Sequence, residues 1–315
     1  MKFLAAAGLS FAAIAAAAQP VPTSPPVLAP GIYGAPMGSG TYPAVAEGRA
    51  DASGYTLYHP ANLPPGKLPL VLWGNGGCKD NGLSAALFLR EIASHGYFVV
   101  ANGASRLERP MLAKLPPLDE HATDAPPPIT TADETSVAQL LHAIDWATAA
   151  NRAGPFAGHI DMTRIAVMGH SCGGLQAIAA AADPRVGAVV IFDSGIYNQP
   201  HDVPGRLHME KSDLARLHTP IAYFLGGPTD IAFANGSDDV ARINHVPVFL
   251  GSLPVGHGAT FQLANGGEWG RVGAAWLDWQ LKHDPGAGRT FVGPECGLCT
   301  ASGWTVSRKH FPLLP

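Results

Sequence analysis

The stretch Ile165-Ala-Val-Met-Gly-His-Ser171-Cys-Gly-Gly-Leu175 decides how this chain is read. An apolar run, Ile165–Met168, enters a Gly169-x-Ser171-x-Gly173 pattern, and an Ala-rich segment, Leu175–Ala182, leaves it. A strand before and a helix after is the setting in which a G-x-S-x-G serine becomes a nucleophile. The serine occupies a strained strand-to-helix turn, where side chains two residues to either side would collide with neighbouring backbone. Such a turn lifts the hydroxyl above the sheet and points the amides of the following helix at developing negative charge. The pattern therefore predicts Ser171 as a nucleophile.

Outward from this turn, strand-like and helix-like segments alternate. Leu68–Trp73, Tyr97–Asn102, Val186–Phe192, Ile221–Leu225 and Val246–Leu250 read as strands, the first apolar enough for burial on both faces. Asn81–His95, Thr131–Ala150 and Gly267–Lys282 carry helical spacing, as at Val137, Leu140, Leu141 and Ile144. Upstream, Thr41–Glu47 and Tyr55–His59 read as short strands joined by a turn at Asp51–Gly54, with Pro43 confining the first to a sheet edge. This alternation predicts an α/β fold, with a mostly parallel central sheet and helices on both faces, as a single domain over residues 41–315. In such sheets chemistry collects at the carboxyl ends of the strands. Two long connections, Gly103–Ile129 and Ser194–Pro220, border that edge as binding walls or as passive loops.

The stretch HIDMTRIAVMGHSCGG, with LPLVLWGNGG and REIASHGYFVVANG upstream, resembles α/β-hydrolase serine esterases. The nearest branch is that of cutinase-like polyester hydrolases and platelet-activating-factor acetylhydrolase-like enzymes, and the similarity spans about residues 55–282. The resemblance implies the α/β-hydrolase fold and a triad in the chain order nucleophile, acid, histidine. Asp230 ends the turn Gly226-Gly-Pro-Thr-Asp after the strand Ile221–Leu225, and matches the acid position. Asp193, directly after Val186–Phe192, is the rival, while Asp238 and Asp239 read as helix-starting residues. His257, flanked by Gly256 and Gly258 beyond the last strand, matches the base. The same resemblance implies an oxyanion hole from the amides of Cys172 and Gly77, with Gly76 and Cys78 as neighbours, and a cleft lined by His170 and Gly76. Polyester hydrolases of this branch carry an aromatic after the strand preceding the acid; here only Tyr197 is available for that place.

The two oxyanion segments are neighbours in the resembled fold, which suggests a Cys78–Cys172 disulfide; two free buried thiols are the alternative. Cys296 and Cys299, in C-G-L-C, suggest a tight-loop disulfide. They lack the strand-to-helix setting of a thioredoxin-like motif and the companion ligands of a zinc site. No metal and no cofactor is expected, since no H-E-x-x-H or carboxylate-histidine cluster occurs.

Composition bounds the remainder. With 315 residues and 47% hydrophobic content, the chain can bury a sizeable core. A net charge of −4 without a basic run gives no footing for nucleic acid or an anionic membrane surface. Residues 1–18 read as a signal peptide: Lys2, then apolar Phe3–Ile14, then Ala16-Ala17-Ala18 before Gln19. They are too short and Ala-rich for an anchor, and residues 19–40 read as a Pro-rich leader. The expectation is a secreted or periplasmic serine hydrolase that cleaves a small-molecule or polymeric carboxylic ester. Acyl transfer or peptide hydrolysis by the same triad, and a non-catalytic binding protein on the same fold, are the alternatives. The sequence carries no signal for an oligomeric state.

Overall fold

Every residue of Leu68–Gly74 is buried, as a strand covered on both faces must be. The computed structural model describes residues 25–106, 134–199, 207–258 and 260–311. The expected signal peptide, part of the leader and most of the Gly103–Ile129 connection lie outside them. The strands are β1 (Gly31–Met37), β2 (Ala44–Gly48), β3 (Tyr55–Pro60), β4 (Leu68–Gly74), β5 (Phe98–Asn102), β6 (Ile160–His170), β7 (Ala188–Phe192), β8 (Ile221–Leu225), β9 (Val248–Ser252) and β10 (Thr305–Lys309). They form one ten-stranded sheet in the order β1-β2-β3-β5-β4-β6-β7-β8-β9-β10. The block from β5 to β9 is parallel. β1 to β3 on one side, and β10 on the other, are attached antiparallel. The fold is thus α/β with a mostly parallel sheet.

The helices are α1 (Ala86–Ser94), α2 (Val137–Ala150), α3 (Cys172–Ala180), α4 (Phe233–Arg242), α5 (Gly267–Lys282), and the short α6 (Pro285–Gly288) and α7 (Gly297–Thr300). Alternation along β4 divides them into two layers. Leu70 and Leu72 join Leu140 and Ile144 of α2, Ile178 of α3 and Val240 of α4 on one face. Val71 and Trp73 join Phe88 and Ile92 of α1 and Trp269 and Trp276 of α5 on the other. The tryptophans of α5 are packing residues: Trp276 meets Trp279 edge-on at 5.4 Å between centroids. Ser136 caps α2 by accepting from the Gln139 amide at 3.1 Å.

Four departures from the sequence reading have local causes. Residues 31–37, read as leader, form the outermost strand β1 because their backbone pairs with β2. β2 consequently has neighbours on both sides rather than lying at an edge, and Pro43 stands just ahead of it, where no ladder amide is needed. α1 begins at Ala86 rather than Asn81: Asn81 Oδ1 accepts from the Leu83 amide at 3.0 Å, and Gly82 packs on Gly103 and Thr56. Asp238 and Asp239 lie in the second half of α4 rather than at its start. Asp239 is fully buried there, and accepts from Lys211 Nζ at 2.6 Å and the Ile196 amide at 2.8 Å. Burial pushes its carboxyl up to about 6 against the pull of Lys211.

Candidate active site

β6 delivers Ser171 into a turn with φ 53° and ψ −123°, a conformation that a side-chain-bearing residue avoids unless its surroundings impose it. Here they do. The Ser171 amide donates to Phe192 O at 3.1 Å, and its carbonyl accepts from Gly174 N and from Ser194 Oγ. A Cβ on Gly169 would lie 2.1 Å from Gly173 O, and one on Gly173 would lie 2.1 Å from the backbone of Gly74. The turn, the strand entering it and the tip of β4 therefore touch backbone to backbone. Although Ser171 stands at the N-cap of α3, its side chain makes no capping bond. The hydroxyl is directed elsewhere.

His257 Nε2 lies 3.0 Å from Ser171 Oγ, and its Nδ1 lies 2.7 Å from Asp230 Oδ1. Glycines at 256 and 258, with φ of +72° and +78°, let the chain turn sharply on both sides of the imidazole. Asp230 is held in turn: its Oδ1 also accepts from Ala232 N at 2.9 Å, and its Oδ2 from Gly226 N at 3.2 Å. Burial pushes this carboxyl up, but the hydrogen bonds from His257 and the two amides outweigh it and leave Asp230 below the ordinary carboxylate range. It stands as an anion against the ring. No family model matches this chain, and no curated protein matches it.

Asp193, the rival acid, occupies a different place. It follows β7 with φ 46° and is fully buried. Its Oδ2 accepts from Trp269 Nε1 at 2.7 Å and from the amide of Gly258, next to the histidine, at 3.2 Å. Burial pushes this carboxyl up to about 8; the Trp269 bond opposes the rise and the adjacent Asp230 charge adds to it. At neutral pH Asp193 keeps its proton. Its Oδ1 is buried and has no hydrogen-bond partner among the described residues.

The oxyanion segments also come together. Gly76–Cys78 is a single 3-10 turn beyond β4, with Gly77 at φ 64°. The Cys78 amide donates to Asn75 O at 3.0 Å, so Gly76 and Gly77 are the loop's remaining amides. The sulfurs of Cys78 and Cys172 lie 1.94 Å apart, at disulfide distance, and join this turn to the first residue of α3. Asn75, which sequence reasoning did not single out, is fully buried and pins the loop. Its amide nitrogen donates to Asn102 O and to Lys79 O, and its oxygen accepts from Trp73 Nε1 at 2.9 Å. An Asn just beyond an apolar strand was the signal the sequence offered.

His170 packs behind His257 rather than in the cavity over Ser171. Its ring lies 5.0 Å from that of His257 and 4.8 Å from Phe261, and its Nε2 is 3.9 Å from Asp193 Oδ2. Gly76 lies against it, since a Cβ there would come within 2.5 Å of His170 Nδ1. Burial pushes His170 down to about 3, helped by the neighbouring His257 charge, so this ring is neutral at physiological pH. The cavity over Ser171 has a volume of about 130 Å³ and is lined by Cys172, Leu175, Tyr197, Ile231 and Asn235. Ile231 is 79% exposed and Tyr197 39% exposed, giving the opening an apolar rim. Among the described residues, no cluster of His, Cys, Asp or Glu is placed to hold a metal ion, and no helix is long and apolar enough to cross a membrane.

Proposed function

We propose that this chain is an exported serine hydrolase with the α/β-hydrolase fold, resembling serine esterases, and that it cleaves carboxylic esters. The observation that carries the reading is the continuous chain from Ser171 Oγ through His257 to Asp230, with links of 3.0 and 2.7 Å. A serine hydroxyl is a weak nucleophile at its own pKa. His257 Nε2 accepts its proton as Oγ attacks the ester carbonyl, while the Asp230 anion fixes the Nδ1–H tautomer and stabilises the imidazolium. The tetrahedral oxyanion forms beside the Cys172 and Gly77 amides, each such donor being worth about 3 kcal/mol. Imidazolium then returns the proton to the leaving alkoxide, and water repeats the sequence on the acyl-enzyme.

The cavity of about 130 Å³ is far below the roughly 300–1,000 Å³ typical of drug-sized ligand sites, which favours a short acyl group. Two cysteine pairs at disulfide distance fit the oxidising compartment that a signal peptide implies. The test is hydrolysis of nitrophenyl acetate, butyrate and octanoate by the wild type and by Ser171→Ala. The short esters are expected to turn over fastest, and Ser171→Ala to reduce kcat by about a thousandfold or more. Equal activity in the variant would end the serine mechanism.

A further inference from the structure

We infer that Cys296 and Cys299 form a thiol-exchange site, a disulfide with one exposed sulfur that low-molecular-weight monothiols open reversibly, with Cys299 the sulfur attacked and Arg308 assisting. It stands apart from Ser171 chemistry and does not depend on it.

The sulfurs lie 2.12 Å apart and are separated by three residues in sequence. A bridge that spans so short a loop removes little chain entropy, whereas the Cys78–Cys172 pair spans 94 residues. The turn is also held without it. Cys299 N and Thr300 N donate to Cys296 O, Gly297 N donates to Arg289 O, and Leu298 N donates to Thr290 O, at 2.9–3.2 Å. Leu298 is fully buried beneath the turn. Opening the bridge therefore leaves the backbone hydrogen bonds and the apolar anchor in place.

The two sulfurs differ. Cys299 is exposed, while Cys296 is 1% exposed. Arg308 Nη1 lies 3.1 Å from Cys299 Sγ and 3.4 Å from Cys296 Sγ, and the Cys299 amide donates to Cys296 Sγ at 3.1 Å. The guanidinium is fixed by the carbonyls of Phe291 and Gly293, at 3.0 and 2.7 Å. An incoming thiolate can reach Cys299, where Arg308 offsets its charge. The departing thiolate on Cys296 is met by an amide N–H and the same cation, and a stabilised leaving thiolate speeds exchange.

The step balances. A monothiolate RS⁻ bonds to Cys299 Sγ, the Cys296–Cys299 bond breaks, and its electron pair leaves on Cys296 as thiolate. A second monothiolate attacks the R sulfur of the mixed disulfide, giving RSSR and a Cys299 thiolate. Two monothiols are oxidised, one disulfide is reduced, and the released protons finish on Cys296 and Cys299. RSSR drives the reverse.

The full chain is exposed to increasing reduced glutathione, quenched by alkylation and mapped by peptide mass spectrometry. Cys296 and Cys299 are expected to label at least tenfold faster than Cys78 and Cys172, with near-ultraviolet circular dichroism unchanged. In Cys296→Ser, oxidised glutathione should form a stable adduct on Cys299, and Arg308→Gln should slow opening several-fold. The proposal is overturned if the pair is alkylated without reductant, opens no faster than Cys78–Cys172, or opens only with loss of tertiary signal. It also fails if glutathione adds to Cys296 in preference to Cys299. Wild-type rates and the Cys296→Ser adduct decide it should Arg308→Gln misfold.

Discussion

Two aspartates at the ends of neighbouring strands behave in opposite ways. Asp193 follows β7 and Asp230 follows β8, and each lies within reach of the His257 loop. Asp230 receives three donors, from His257 and two amides, and sits below the usual carboxylate range. Asp193 has a buried indole and one amide on a single oxygen, and burial lifts it to about 8. The number and placement of donors, more than proximity to the histidine, decides which carboxyl carries charge. Two anions this close would repel, and the Asp230 charge adds to the rise that burial causes at Asp193.

The sharpest way to break this comparison is to exchange the roles. Asp230→Asn removes the anion that fixes the His257 tautomer and should lower kcat for a short nitrophenyl ester by about 10³–10⁴-fold. Asp193→Asn keeps an oxygen for the Trp269 indole and the Gly258 amide while removing the titrating carboxyl, and should stay within a few-fold of wild type. A larger loss from the second substitution than from the first would reverse the assignment.

Truncation should have a smaller effect, seen in stability. Asp193→Ala strands the Trp269 indole and Gly258 amide in a dry site, and should cost about 1–3 kcal/mol in urea unfolding. Asp193→Asn should be spared that cost.

A last difference concerns pH dependence. The folded value of Asp193 is raised above its unfolded one, so its contribution is fully present below the unfolded pKa, about 4, and is lost as pH rises through about 8. Stability of the wild type relative to Asp193→Asn should therefore fall across that window and level off above it. Asp230 works in the opposite sense: its contribution is present above the ordinary carboxylate range and is lost as pH falls through its depressed value. A difference curve that stays flat between pH 4 and 8 would mean that Asp193 ionises normally.

The readability of this molecule from sequence follows the same division between local and distant causes. β4, β5, β7 and β8 were legible because their residues are apolar regardless of partner. β8 and α5 match their sequence-derived limits, Ile221–Leu225 and Gly267–Lys282. β1 was not legible: most of its residues are exposed, and only register with β2 makes it a strand. β10 likewise depends on pairing with β9. At the site, Ser171 and His257 could be placed from glycine spacing and chain order. The raised pKa of Asp193 could not, because it comes from burial that distant segments supply, Trp269 among them, seventy-six positions away. The Cys78–Cys172 pairing was suggested only through the resemblance, since 94 residues separate the two.

The contact of Gly74, Gly169 and Gly173 has a practical side. Because main chain presses on main chain there, even a methyl group would force the turn that carries Ser171 away from the tip of β4. Directed-evolution libraries are best kept off those three codons. Diversity belongs instead at Ile231, whose side chain is 79% exposed at the rim of the cavity.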